Sequence, residues 1–145
     1  MKFKDTKYGD LSGQTYKGNI DVSDLDLTSL EGAPKSVRYN FNCSSNQKLT
    51  SLKGGPKSVY CDFICSGNLN LISLEGVPKS VGGNFYCFND PKLTQSEIDK
   101  LVECDIKGEI RVPKGLRVPS KEDYKLYKKL GDRKYWKLKS LKDSL

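Results

Sequence analysis

Apolar positions recur in fixed columns through residues 27–93. Leu27, Leu49, Leu71 and Leu93 fall 22 residues apart, and Leu30, Leu52 and Leu74 keep the same period. So do Val37, Val59 and Val81, then Phe41, Phe63 and Phe85, then Cys43, Cys65 and Cys87. Between them run Gly32, Gly54 and Gly76, Pro34, Pro56 and Pro78, Lys35, Lys57 and Lys79, and Ser36, Ser58 and Ser80. A fixed period in the twenties marks a solenoid, in which each unit buries its apolar side only against its neighbours.

Within each unit Phe-x-Cys alternates in and out, as a short strand must. With Phe and Cys inward, successive strands form a parallel ladder at a spacing of about 4.7–4.9 Å. The Gly and Pro columns make the opposite side extended and turned, because Pro fixes φ and lacks a backbone donor. The periodic serines read as turn residues there. Asn46, Asn68 and Asp90 follow each Cys by three residues. A short amide or carboxylate at that point can bond neighbouring backbone N–H groups.

Outside the full units the pattern weakens. Residues 1–18 carry Phe3, Tyr8, Leu11 and Tyr16 among polar residues, and predict a cap that lays aromatic rings over the open end of the stack. Residues 19–27 read as a degenerate half unit, with Ile20 and Val22 standing for Phe41 and Cys43 at a shift of 21. Thr94 and Glu97 have capping-box spacing, with the Thr hydroxyl accepting from the Glu amide and Glu97 reaching back to the Thr94 amide. Ile98, Leu101 and Val102 then predict a helix over 95–103. Residues 106–112 form the next strand, with Ile110 and Val112 in the Phe and Cys columns. Ser120 opens a second capping signature. Tyr124, Tyr127, Leu130, Tyr135, Leu138, Leu141 and Leu145 then predict one kinked helix or two around Gly131. The chain divides into a capped solenoid over 1–118 and a basic helical cap over 119–145.

Phe41-x-Cys43-x-x-Asn46 followed by Leu49-x-x-Leu52 resembles the leucine-rich repeat, with one extra residue after the Asn and one more before the Phe. The proline-bearing side, Leu52-Lys53-Gly54-Gly55-Pro56, is similar to the short repeats of secreted bacterial effectors. Residues 19–93 look most like leucine-rich-like repeats of tailed-phage and bacterial proteins. The resemblance implies a binding scaffold and implies no catalysis. The expected fold is a β-solenoid within the α+β class. It is a short, right-handed, leucine-rich-repeat-like parallel β stack of about five strands, with one inserted helix and a helical C-terminal cap.

Composition adjusts this picture at two points. The formal net charge of the 145 residues is +7, and residues 121–145 hold nine Lys or Arg against four Asp or Glu, so the repeats are nearly neutral and the tail is basic. Histidine is absent, which removes the commonest general base and metal ligand. Five cysteines, three of them locked to the repeat, argue against a secreted disulfide framework. No apolar run approaches a membrane span, no leader-like segment opens the chain, and the expected location is the cytoplasm, a host's if phage-encoded.

Candidate chemistry is sparse. Cys61 and Cys65 lack the second pair that a metal site needs, so the cysteines read as small apolar core residues. No base recurs with the serines and no phosphate loop is present, so neither enzyme activity nor a cofactor is expected. The Lys35, Lys57 and Lys79 edge reads as solubilising. The strand face offers more. Asp21, Asn42, Ile64, Tyr86 and Arg111 point outward between the core positions, beside an Asn19, Asn40, Asp62, Asn84 and Glu109 column and a Ser23, Ser44, Ser66 and Phe88 column. Asn42, Ile64, Tyr86, Phe88 and Arg111 are the expected protein-binding residues, since aromatics inside a polar rim suit an interface. The expectation is therefore a non-enzymatic protein-binding module, with a phage-encoded accessory that modulates a host defence factor as its finer form. The alternative is nucleic-acid binding through Lys125, Lys128, Arg133, Lys134 and Trp136 in the basic tail. A small-ligand pocket between sheet and tail is a third reading. Pairing of exposed end strands into a homo-oligomer stays open.

Overall fold

The computed structural model describes all residues, 1–145. About four turns stack into a β-solenoid with two parallel five-stranded sheets. The first sheet holds β1 (Thr15–Tyr16), β3 (Ser36–Val37), β5 (Ser58–Val59), β7 (Ser80–Val81) and β9 (Asp105–Ile106), in that spatial order. The second holds β2 (Ile20–Asp21), β4 (Phe41–Asn42), β6 (Phe63–Ile64), β8 (Phe85–Tyr86) and β10 (Ile110–Arg111).

The second sheet is the ladder expected from Phe-x-Cys. Phe41 pairs with Phe63 and Phe63 with Phe85. Their rings stack at 5.5 Å between centroids and lie within 7° of parallel, inside the range for favourable offset stacking. Ile20 pairs with Phe41 at the expected shift of 21. The Phe, Cys and Leu columns are buried throughout, in one core with Val37, Val59 and Val81.

The first sheet corrects the sequence reading. The periodic Ser-Val pair is a strand and not a turn. Each Val is buried and each Ser faces outward half-exposed. Two residues are too few to show alternation, so the preceding Gly-x-Pro dominated the pattern. Thr15–Tyr16 joins this sheet, so the solenoid begins inside the segment read as a cap.

The Gly column explains how the turns approach. Gly76 has φ of 91°, where a side chain is strained, and an added Cβ would run into the Leu52 carbonyl of the turn before. The Asn46, Asn68 and Asp90 column is buried completely and forms a ladder of its own. Asn68 Oδ1 accepts from the Asn46 N–H at 2.7 Å, and Asp90 Oδ1 from the Asn68 N–H at 2.7 Å. The Nδ2 groups of Asn46 and Asn68 donate to the carbonyls of Cys43 and Cys65 at 2.9 and 2.7 Å. Buried backbone that leaves a strand is thereby satisfied.

Both ends are covered. Phe3 is buried and stacks on Phe41 at 6.2 Å, with Tyr8 stacked on Phe3 and Tyr16 against Tyr8. Tyr8 Oη also accepts from the Asp21 N–H on the strand edge. At the other end α1 (Gln95–Asp99) runs into a 3-10 turn at Lys100–Glu103, replacing the Gly-Pro segment. Thr94 caps it by accepting from the Glu97 N–H. Glu97 does not reach back to Thr94 as expected. Its Oε1 accepts from the Leu74 N–H at 2.8 Å. The equivalent amides of Leu30 and Leu52 donate to the carbonyls of Lys53 and Glu75. Thus a helical carboxylate stands in for the carbonyl that the extended backbone would have supplied.

The tail is two helices. The chain breaks at Gly131, whose φ is 83°, between α2 (Lys121–Leu130) and α3 (Asp132–Asp143). Ser120 and Asp123 make the expected capping box. Gln95 exchanges two hydrogen bonds with the Arg117 backbone, and Lys139 lies 3.8 Å from Asp99, which ties the hairpin to α1.

Candidate functional site

Strand register places Asp21, Asn42, Ile64, Tyr86 and Arg111 in one outward column, each opposite the next. The column has two halves. Asn42 Oδ1 accepts from the Ser44 N–H, and Asp21 Oδ1 from the Ser23 N–H and hydroxyl. These short polar side chains fold back on their own strand ends, and the Ser23 donors hold the Asp21 carboxyl below the usual range, as the Ser12 donors do for Asp10. Ile64 and Tyr86 cannot make such a turn and leave apolar surface free.

Around Tyr86 the geometry is ordered. The Asn84 amide donates to Tyr86 Oη at 2.9 Å. The Phe88 ring meets Tyr86 edge-on at 6.1 Å, and the Arg111 guanidinium lies 5.9 Å from the Tyr86 centroid. Glu109 binds the Arg111 Nε at 3.1 Å and fixes its plane. Such cation–π and edge contacts restrict the orientation of an exposed aromatic side chain. Phe88 is 39% exposed although it is a large apolar residue. Ile64, Tyr86, Phe88 and Arg111 therefore share one patch, and Asn42 lies at its polar margin.

The neighbouring outward column has a structural use that sequence reasoning missed. Asn19 accepts from the Asn40 N–H, Asn40 from Asp62, Asp62 from Asn84 and Asn84 from Glu109, all through Oδ1 at 2.8–2.9 Å. It is a second side-chain ladder. The signal lay in the sequence, since Asn40, Asp62 and Asn84 fall 22 residues apart, with Asn19 ahead of them at a shift of 21.

Four of the five cysteines are core residues; Cys61 is half-exposed and lies outside the core, unlike the expectation from sequence. Cys43, Cys65 and Cys87 are buried, and desolvation pushes each thiol up, that of Cys87 to about 12. Cys104 is raised to about 11 by the same cause. Such thiols are poor nucleophiles at neutral pH. Asp90 is the unusual group. Burial raises its carboxyl to about 8 against accepted backbone bonds, and Oδ2 has no partner.

The tail residues are divided. Lys125, Lys128, Arg133 and Lys134 are exposed, and only Lys125 has a carboxylate nearby, Glu122 at 3.7 Å. The aromatic rings mostly pack on one another. Tyr135 is buried, with Tyr127 and Trp136 against it at 5.5 and 5.0 Å. A cavity of about 330 Å³ lies between the last turn and α2, lined by Leu101, Val102, Ile106, Ile110, Val118 and Tyr124. No helix is long and apolar enough to cross a membrane. No family model matches the chain, and no curated protein or solved structure matches it.

Proposed function

We propose that the protein is a non-enzymatic binding module that recognises another protein through the patch of Ile64, Tyr86, Phe88 and Arg111. The observation that carries this reading is the pre-ordered Tyr86, held by Asn84, Phe88 and Arg111 on an otherwise polar sheet face. Rigid aromatic anchors with a polar rim are how interface hot spots are built. The leucine-rich-repeat-like pattern of Leu49, Leu52 and Asn46 supports the same class, and its likeness to phage and bacterial repeats suggests the finer role. In that role the protein is a phage-encoded accessory that occludes a host factor, such as a defence component, in the host cytoplasm.

The test is affinity capture of the tagged full chain from a bacterial lysate, with mass spectrometry of what is retained. Tyr86→Ala and Ile64→Asp should each lose the same partner while keeping a cooperative melt, with a loss of affinity of about 30-fold or more for a hot-spot residue. A partner retained equally by both variants ends the reading.

A further inference from the structure

The first sheet presents a different surface, and its register puts positive charge on both margins. Lys35, Lys57 and Lys79 stand in successive turns at its Pro side. On the other margin Lys17, Arg38, Tyr60, Gly82 and Lys107 each follow a paired strand residue and so form one column. Between the margins run the hydroxyls of Ser36, Ser58 and Ser80, a flat strip of small polar groups. All six cations are exposed. Only Lys107 has a carboxylate within ion-pair distance, Asp105 at 3.2 Å. The lysine row lines one groove together with Glu31, Glu75 and Glu103; Glu31 is taken up by Lys2 and Lys4, and neither Glu75 nor Glu103 lies within ion-pair distance of a row lysine. Like charges stacked in register oppose folding, so a row of unpaired lysines is a cost that the fold does not require.

Tyr60 adds a feature that charge alone does not supply. The Arg38 guanidinium covers one face of its ring at 5.0 Å. The next turn offers Gly82, where an added Cβ would meet the Tyr60 carbonyl, so no side chain can stand there. The turn after offers Lys107. Gly82 therefore sets no side chain against Tyr60, and the next side chain of the column is Lys107, two rungs or about 9–10 Å along. Tyr60 is 52% exposed, although a ring of this size is normally more deeply buried.

We infer that this face binds single-stranded nucleic acid, with a base stacked on Tyr60 in the Gly82 layer and phosphates on the two cationic margins. Phosphates complement the unpaired cations, and only an unpaired strand can splay a base onto an aromatic face. The surface is separate from the Tyr86 patch, which lies on the other sheet, and adjoins the tail only at its last rung, where the Lys121 ammonium donates to the Lys107 carbonyl at 3.1 Å.

The experiment is fluorescence anisotropy with a labelled oligothymidylate of about fifteen nucleotides, titrated with the full chain across salt concentrations. The expected result is saturable binding whose log–log salt slope is about −2 to −3.5, as three to five phosphate contacts on a single strand give. Lys35→Glu, Lys57→Glu and Lys79→Glu together should weaken binding at least about tenfold and flatten that slope. If the triple variant melts early, Lys57→Gln with Lys79→Gln makes the same comparison. Tyr60→Ala should weaken binding about fivefold or more at unchanged slope, because stacking is not ionic. Replacing Lys128, Arg133 and Lys134 by Ala should change affinity less than about twofold, as should Tyr86→Ala. Three outcomes overturn the inference. The first is no saturable binding at low salt, which leaves an acidic protein as the occupant. The second is loss that follows the tail residues instead. The third is binding indifferent to Tyr60 and matched by inorganic polyphosphate, which makes the face a site for any acidic polymer.

Discussion

The repeat stack and the C-terminal hairpin solve the same problem differently. In the stack each apolar column is buried in every complete turn, and side-chain ladders satisfy the backbone as it leaves the strands. In the hairpin α2 buries no residue and α3 buries only Tyr135, while Leu138 and Leu141 stay exposed. Repetition therefore makes each residue serve two neighbours, whereas the hairpin has a single neighbour and relies on a few tethers to α1. Stability should be concentrated in the stack and fall away toward the tail.

Removing one ring from each region should affect stability unequally. Phe63→Ala takes out the middle of the stacked column and should cost about 3–5 kcal/mol, read from chemical denaturation. Tyr135→Ala should cost less than half as much in the same measurement, since that ring supports only the hairpin. Equal losses would mean that the two regions unfold as one unit held at their junction.

A smaller effect is expected from the amide ladder. Asn68→Ala leaves the Asn46 N–H and the Cys65 carbonyl without their partners in a buried site. The loss should be about 2–4 kcal/mol, with amide exchange accelerated at Asn46 before it is at the Phe positions. A loss below about 0.5 kcal/mol would show that water replaces the amide.

Asp90 is the rung at which the amide ladder ends in a carboxylate. Asp90 Oδ2 takes the place that Nδ2 occupies in Asn46 and Asn68. With its carboxyl raised to about 8 from the ordinary 3.8, the folded chain keeps a proton that the unfolded chain releases above about pH 4. This group's stabilising contribution is thus complete below that pH and is lost as pH rises toward 8. Asp90→Asn should remove the dependence and raise stability at pH 8 by roughly 1–3 kcal/mol, with little change at pH 4. Parallel pH–stability curves for the two proteins would show that the carboxylate is already solvated.

Legibility in the sequence followed the number of copies. Phe41, Phe63 and Phe85 could be aligned because three equal spacings admit one register, and the outward column containing Tyr86 came with it. The first sheet was hidden because Ser-Val is too short to alternate and follows a Pro that signals a turn. In sequence the Asn40 and Asp62 column shows only as outward-facing, since an exposed amide and one that caps a neighbouring backbone look alike in one dimension. Glu97 shows a different limit. Its spacing from Thr94 fits a capping box, but the unpaired Leu74 amide in the adjacent turn is the stronger claimant for the carboxylate.

In the amide ladder each member accepts from the member one turn earlier, always through the same atom and in the same direction. A copy of the 22-residue segment spliced between two others would meet donors and acceptors it already matches. Such a splice would lengthen the rod by about 4.8 Å without disturbing either terminus. Reach is consequently a property that duplication can tune in steps, independently of what any one face recognises.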